Sequence, residues 1–133
     1  MAREMLSPHF AKDECVCRCG CGLCNATPRL LMMAEKIRDL LRQPMIVTSV
    51  CRCREHNAKV CGSPQSKHLL GRAMDFYCKR LSPQAVYDAI VRAWENGELS
   101  ELGGVGIYDW GIHIDTEKAP DGHLRRWDKR KAR

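Results

Sequence analysis

Two short segments of this chain alternate apolar residues with side chains able to bind a metal, and that alternation constrains its fold most tightly. In Ile112-His113-Ile114-Asp115 the imidazole of His113 must face away from its two isoleucine neighbours if the segment is a strand. Arg72-Ala73-Met74-Asp75-Phe76-Tyr77-Cys78 alternates in the same manner and reads as a strand carrying Asp75. Gly103-Gly104-Val105-Gly106-Ile107-Tyr108 supplies another strand, joined to the 111–115 segment by a tight turn near Asp109 and Trp110.

Two helices frame these strands. Thr27 suits an N-cap and Pro28 the first helical turn, and Leu30, Leu31, Ala34, Ile37, Leu40 and Leu41 recur at helical spacing. The spacing predicts an amphipathic helix over about 28–42, stopped by Pro44. Met45 to Val50 is apolar and β-branched, which predicts a buried strand. Residues 51–67 are polar and read as a loop. Ser82-Pro83 opens a second helix with Ala85, Val86, Ala89, Ile90, Ala93 and Trp94 on its apolar side, ended by Asn96-Gly97. The expected architecture is one α+β domain over 1–133, a small antiparallel sheet packed with two main helices.

Residues 1–27 read as an irregular, cysteine-rich lead-in. Nine cysteines are many for 133 residues, and an odd number cannot all pair within one chain. Residues one apart are also poor disulfide partners, so thiols or metal ligands are the expected state. Cys15, Cys17, Cys19, Cys21 and Cys24 contain one C-x2-C spacing, a weak signal for a structural zinc beside any catalytic one; the more frequent alternative is reduced or partly oxidised structural cysteines. The sequence begins without a secretory signal pattern, and no apolar run reaches the eighteen or so residues of a membrane span.

The formal charge is +6, with six cations against one acid in the segment 125–133. This basic tail is read as a solvated terminus or a site for an anionic polymer. Nucleic acid is not an expected partner, because no basic patch interleaved with aromatics occurs elsewhere. A monomer is expected.

His68 and Asp75 lie seven residues apart, too far for one helical face. A loop residue and a strand residue can still converge on one ion, with Gly71 letting the backbone turn between them. With His113 they would form a three-ligand set, which leaves a position open as catalytic zinc sites do. Taken alone, a histidine between isoleucines is more often a satisfied buried side chain than a ligand.

Ser66-x-His68-x-x-Gly71-x-Ala73-x-Asp75, then Gly104-Val105-Gly106-x-Tyr108, then the 112–115 run, together resemble the M15 metallopeptidases. The resemblance is closer to their D-alanyl-D-alanine carboxypeptidase-like branch, common in bacteria and phages. Ile46-Val47-Thr48-Ser49-x-x-Arg52 followed by His56-Asn57 is similar to that branch's strand and substrate-side loop, and Arg126-Trp127 also fits. The likeness covers roughly residues 7–127. It implies the zinc peptidase fold shared with hedgehog and DD-peptidases, and hydrolysis of peptide bonds in peptidoglycan stem peptides, often next to D-alanine. By position it makes His68, Asp75 and His113 the zinc ligands, gives Arg52 a substrate carboxylate or carbonyl, and gives Ser66 a part in orienting substrate. Arg52 can alternatively pair with Glu55 or another acid. A phage-type release route to the cell wall would suit a chain made in the cytoplasm without a signal.

The sequence departs from the family in two places. Several members carry a glutamate three residues before the last histidine, where this chain has Trp110. Asp109 is the nearest acid and the first candidate for the catalytic base, with Asp115 as the alternative or as a partner that orients His113. Val50-Cys51 stands where a glycine and an aromatic are more usual, so Cys51 and Cys53 flank Arg52, where they can bind a second metal, be oxidised or simply pack.

Overall fold

In the computed structural model, which describes residues 3–131, the lead-in is more ordered than its sequence implies. Met5–Ser7 (β1) and Phe10–Ala11 (β2) pair as an antiparallel hairpin, followed by a one-turn helix, Lys12–Cys15 (α1). Two-residue β2 is too short to show a period, yet Phe10 is 1% exposed and anchors the hairpin in the core. Glu35 fastens it from outside: the Ser7 hydroxyl and the His9 backbone N–H each donate to Glu35 Oε2 at 2.7 Å. Met1 and Ala2, and Ala132 and Arg133 of the basic tail, lie outside the described residues.

Pro28–Leu41 (α2) forms where its caps place it. Thr27 Oγ1 accepts the Leu30 N–H at 3.2 Å, and Arg42 leaves the helix in the left-handed conformation. Its buried stripe is Leu30, Met33, Ala34, Ile37 and Leu41. Ile46–Ser49 (β3) follows. The segment 51–67 is not a plain loop: it contains a helix, Arg54–Lys59 (α3), and runs into a 3-10 turn, Lys67–Leu70. Ala73–Tyr77 (β4) comes next, then Pro83–Glu95 (α4), capped by the Ser82 hydroxyl. Gly104–Ile107 (β5), Ile112–Asp115 (β6) and Arg125–Asp128 (β7) complete the chain.

Five strands form one sheet in the order β3-β4-β6-β5-β7. All its pairings are antiparallel except the last, where β7 runs parallel to β5. The sheet is therefore mixed, which corrects the antiparallel expectation. The basic tail is corrected with it, because its first four residues are an edge strand. Alternation then sorts the two faces. Met74 and Phe76, Val105 and Ile107, and Ile112 and Ile114 join the buried core with α2 and α4. Each such burial is worth about 1.5–3 kcal/mol, enough to fix the register. The opposite face receives Asp75, Gly104, Gly106, His113 and Asp115. No helix among the described residues is long and apolar enough to cross a membrane.

Candidate metal centre and cleft

Strand register builds the floor of the site. Asp75 lies directly opposite His113 across β4 and β6, and Ala73 opposite Asp115. His68 arrives from the 3-10 turn, whose N-cap is Ser66; the Ser66 Oγ accepts the His68 N–H at 3.2 Å. Gly71 ends that turn at φ +66°, and any side chain there would strike the Asn25 carbonyl. The result is that donor atoms of His68, Asp75 and His113 all lie within 4.8 Å of one another.

The protonation pattern follows from the partners. His68 Nδ1 lies 2.8 Å from the Val50 carbonyl, which can only accept, so Nδ1 carries the hydrogen. In the neutral ring His68 Nε2 presents a lone pair. It is buried without a hydrogen bond, although Asp75 Oδ2 is 3.1 Å away. An orphaned buried nitrogen beside a carboxylate is expensive unless a cation sits between them. His113 is flanked on both sides, with Nδ1 2.8 Å from Asp75 Oδ1 and Nε2 2.9 Å from Asp115 Oδ2. Burial opposes charge on this ring, but the two carboxylates outweigh it and raise its pKa to about 9. Burial likewise pushes Asp75 up, and its hydrogen bond with His113 and the closeness of His68 more than reverse this, holding it far below the carboxylate range. Two imidazoles and one carboxylate are a donor set that suits zinc. His68, Asp75 and His113 are the residues that would hold such an ion.

Arg52 stands at the edge of this group. Its Nη2 is 3.3 Å from Asp75 Oδ2, its Nε donates to Ser49 Oγ at 3.1 Å, and its Nη1 donates to Asn57 Oδ1 at 3.2 Å. The acid it pairs with is thus Asp75. Three of its five N–H donors are used and two remain. A cleft of about 440 Å³ is lined by Arg52, Ser66, His68, Asp75, Asp115 and Trp110 among others.

The two acids proposed from sequence part company here. Asp115 lies in the cleft, 1% exposed, with Oδ2 toward His113 and Oδ1 accepting from Arg125 Nη2 and from the Glu117 N–H. Asp109 is exposed, accepts the Lys131 backbone N–H, and lines a different hollow with Leu81 and Pro83. The structure does not bring Asp109 to the histidines. Trp110, 46% exposed, stacks on Tyr108 at the cleft wall instead.

Sequence reasoning assigned no role to Arg125 or Trp127. Both cross β5 above glycines: a Cβ on Gly104 would lie 2.5 Å from Arg125 Nη2, and one on Gly106 only 2.1 Å from Trp127 Nε1. Arg125 thereby reaches Asp115, while the Trp127 ring sits 5.3 Å from His113 and donates Nε1–H to Tyr108 Oη at 2.8 Å. The usable signal was the alternating Gly104-Val105-Gly106, which clears one face for neighbours.

A family model described as Peptidase M15 matches residues 8–115. The chain belongs to the peptidase M15 family. That family is zinc-dependent, and the matched span holds His68, Asp75 and His113 as well as Arg52. Arg125 and Trp127 lie beyond it, so this peptidase domain completes its floor with residues outside the matched span. No curated protein matches the chain.

The cysteines divide differently from the expected five. Cys17, Cys19, Cys21 and Cys53 bring their sulfurs within 4.8 Å of one another. Cys15 belongs to the core instead, fully buried, where burial and the neighbouring Cys51 and Cys24 push its thiol up to about 12. Burial also raises Cys51, to about 11. These stay protonated and pack. Cys53, a candidate metal ligand beside Arg52 on sequence grounds, was not joined to this group because it lies 34 residues from Cys19 in the chain.

Proposed function

We propose that this M15 domain is a zinc peptidase acting on peptidoglycan stem peptides, of the D-alanyl-D-alanine carboxypeptidase or endopeptidase type. One observation carries the reading: the orphaned Nε2 of His68 converges with Asp75 and His113 at the base of an open cleft. Zinc held by these three residues would supply Lewis acidity and a nucleophile at neutral pH. Asp115 holds His113 from behind, fixing its tautomer and ring orientation, and Arg125 balances the Asp115 charge. Arg52 offers its two remaining donors to a substrate carboxylate, a role its planar fork suits. Ser66 sets the turn that aims His68 and lines the cleft where the peptide would lie.

A second reading has its own observation. Among the described residues, the carboxylates lining the cleft are Asp75 and Asp115, and both are already engaged. Trp110 occupies the place of an acidic base. A domain that binds cell-wall peptide without turnover would look like this. Incubating the zinc-loaded protein with purified peptidoglycan and with a stem peptide ending in D-Ala-D-Ala separates the two. Release of D-alanine or cleaved peptide, absent in His68→Ala, supports the peptidase; retention of uncut peptide supports the binder. Delivery to the wall by a phage-type route belongs to this proposal and would show as lysis only when a membrane pore is co-expressed.

A further inference from the structure

The cluster at Cys17, Cys19, Cys21 and Cys53 stands apart from the three-residue floor and has a different chemistry. Its Cys17–Cys19 and Cys19–Cys53 sulfur separations are 3.5 and 3.7 Å. Four thiolates about 2.3 Å from a tetrahedral ion lie about 3.8 Å from each other. The spacing is thus close to that of a tetrathiolate site and far from the bonded distance of a disulfide. All four are free cysteines.

The backbone supports the sulfurs as well. The Cys53 N–H points at Cys17 Sγ and the His56 N–H at Cys53 Sγ, each at 3.4 Å. N–H donors aimed at sulfur favour the thiolate over the thiol. A turn closed by the Gly20 N–H on the Cys17 carbonyl folds the lead-in back, so that alternate cysteines reach one point.

We infer that Cys17, Cys19, Cys21 and Cys53 form a closed structural site for a thiophilic divalent cation, zinc above all. Four protein donors leave no open position, so the site is structural rather than catalytic. Its consequence is mechanical. Cys17 to Cys21 belong to the lead-in, whereas Cys53 directly follows Arg52 and caps α3 through its sulfur. Metal binding ties the lead-in to the segment that aims Arg52 at the cleft. The inference does not depend on the peptidase reading, since it uses none of the floor residues.

The test is zinc content of the full chain, stripped under reducing conditions and reloaded with Zn2+, in wild type, His68→Ala and the double variant Cys19→Ser/Cys21→Ser. Both substituted cysteines are exposed, so packing is spared. The double variant is expected to lose one zinc per chain relative to wild type, and the same loss from the His68→Ala background confirms that the sites are separate. Cobalt(II) substitution gives an independent readout that needs no variant. Wild type and His68→Ala should show thiolate-to-cobalt charge-transfer absorption, and Cys19→Ser/Cys21→Ser should not. Unchanged zinc in the double variant, absence of the charge-transfer band in wild type, or disulfides among the four cysteines in reduced protein would each overturn the site. Zinc lost only with the cysteines would leave this inference standing and sink the floor as a metal centre.

Discussion

The two clusters of side chains that could hold a metal are built by opposite means. On the floor, regular strand register sets Asp75 against His113, and the period of two keeps both off the core face. In the cysteine cluster an irregular turn and a distant loop converge, with no sheet to position them. The floor offers three nitrogen and oxygen donors and opens on a cleft; the cysteines offer four sulfurs and close on themselves. On the proposed reading, regular backbone carries the centre that would meet a substrate, and irregular backbone carries the one that would only hold. The difference matches what catalytic and structural zinc each require.

The largest expected effect breaks the floor alone. His68→Ala should abolish hydrolysis of peptidoglycan peptide, a loss beyond the roughly 100-fold that removing a ligand's hydrogen-bond partner costs. Peptide release measured by chromatography checks this, with the cobalt spectrum of the cysteine cluster as the internal control. Residual hydrolysis near wild-type level would mean that the chemistry lies elsewhere.

Next in size is Asp115→Asn, which keeps the shape but weakens the grip on His113. Zinc affinity or turnover should fall about 10- to 100-fold. Equilibrium competition with a chelator reads the affinity directly. No change would separate Asp115 from the function of His113 despite their 2.9 Å contact.

Packing above the floor should show a smaller, purely structural effect. Gly106→Val must push the Trp127 ring aside, at a cost of about 1–3 kcal/mol in urea unfolding. Trp127 fluorescence should shift with it, since the indole N–H loses Tyr108. The hairpin offers a pH counterpart. Burial pushes Glu35 up, and bonds from Ser7 and His9 reverse this, so its folded pKa is lowered. A lowered carboxylate stabilises above its unfolded pKa, and the contribution disappears as pH falls through the folded value. Glu35→Gln should therefore cost about 1 kcal/mol at pH 7 and nothing in strong acid, measured by thermal unfolding at both.

Legibility in the sequence followed the same divide. Caps at Thr27-Pro28 and Ser82-Pro83 and the alternation around Asp75 and His113 are local signals, and the elements formed within a residue or two of where they point. α3 was invisible because Arg-Glu-His-Asn-Ala-Lys has no apolar period and its cap is a thiol. β7 read as a solvated tail because an edge strand of arginines carries no core face; its half-buried members, Arg125 and Trp127, turn toward the cleft instead. Cys53 joined its cluster through a contact that no spacing rule encodes.

The smallest expected effect is the most discriminating about the floor, because it separates two acids that sequence alone ranked in the opposite order. Asp109 and Asp115 flank His113 within a few residues, yet the turn between β5 and β6 sends Asp109 to the outer hollow against the Lys131 backbone. Asp109→Asn should change stability by no more than about 0.5 kcal/mol and leave hydrolysis and zinc affinity at wild-type values. Steady-state kinetics beside Asp115→Asn make the comparison. A loss of turnover in Asp109→Asn as large as in Asp115→Asn would show that the β5–β6 turn swings inward when peptide binds, and that a proton acceptor is delivered to the cleft only then. Wild-type turnover in both variants would instead show that neither acid takes the proton of the attacking water.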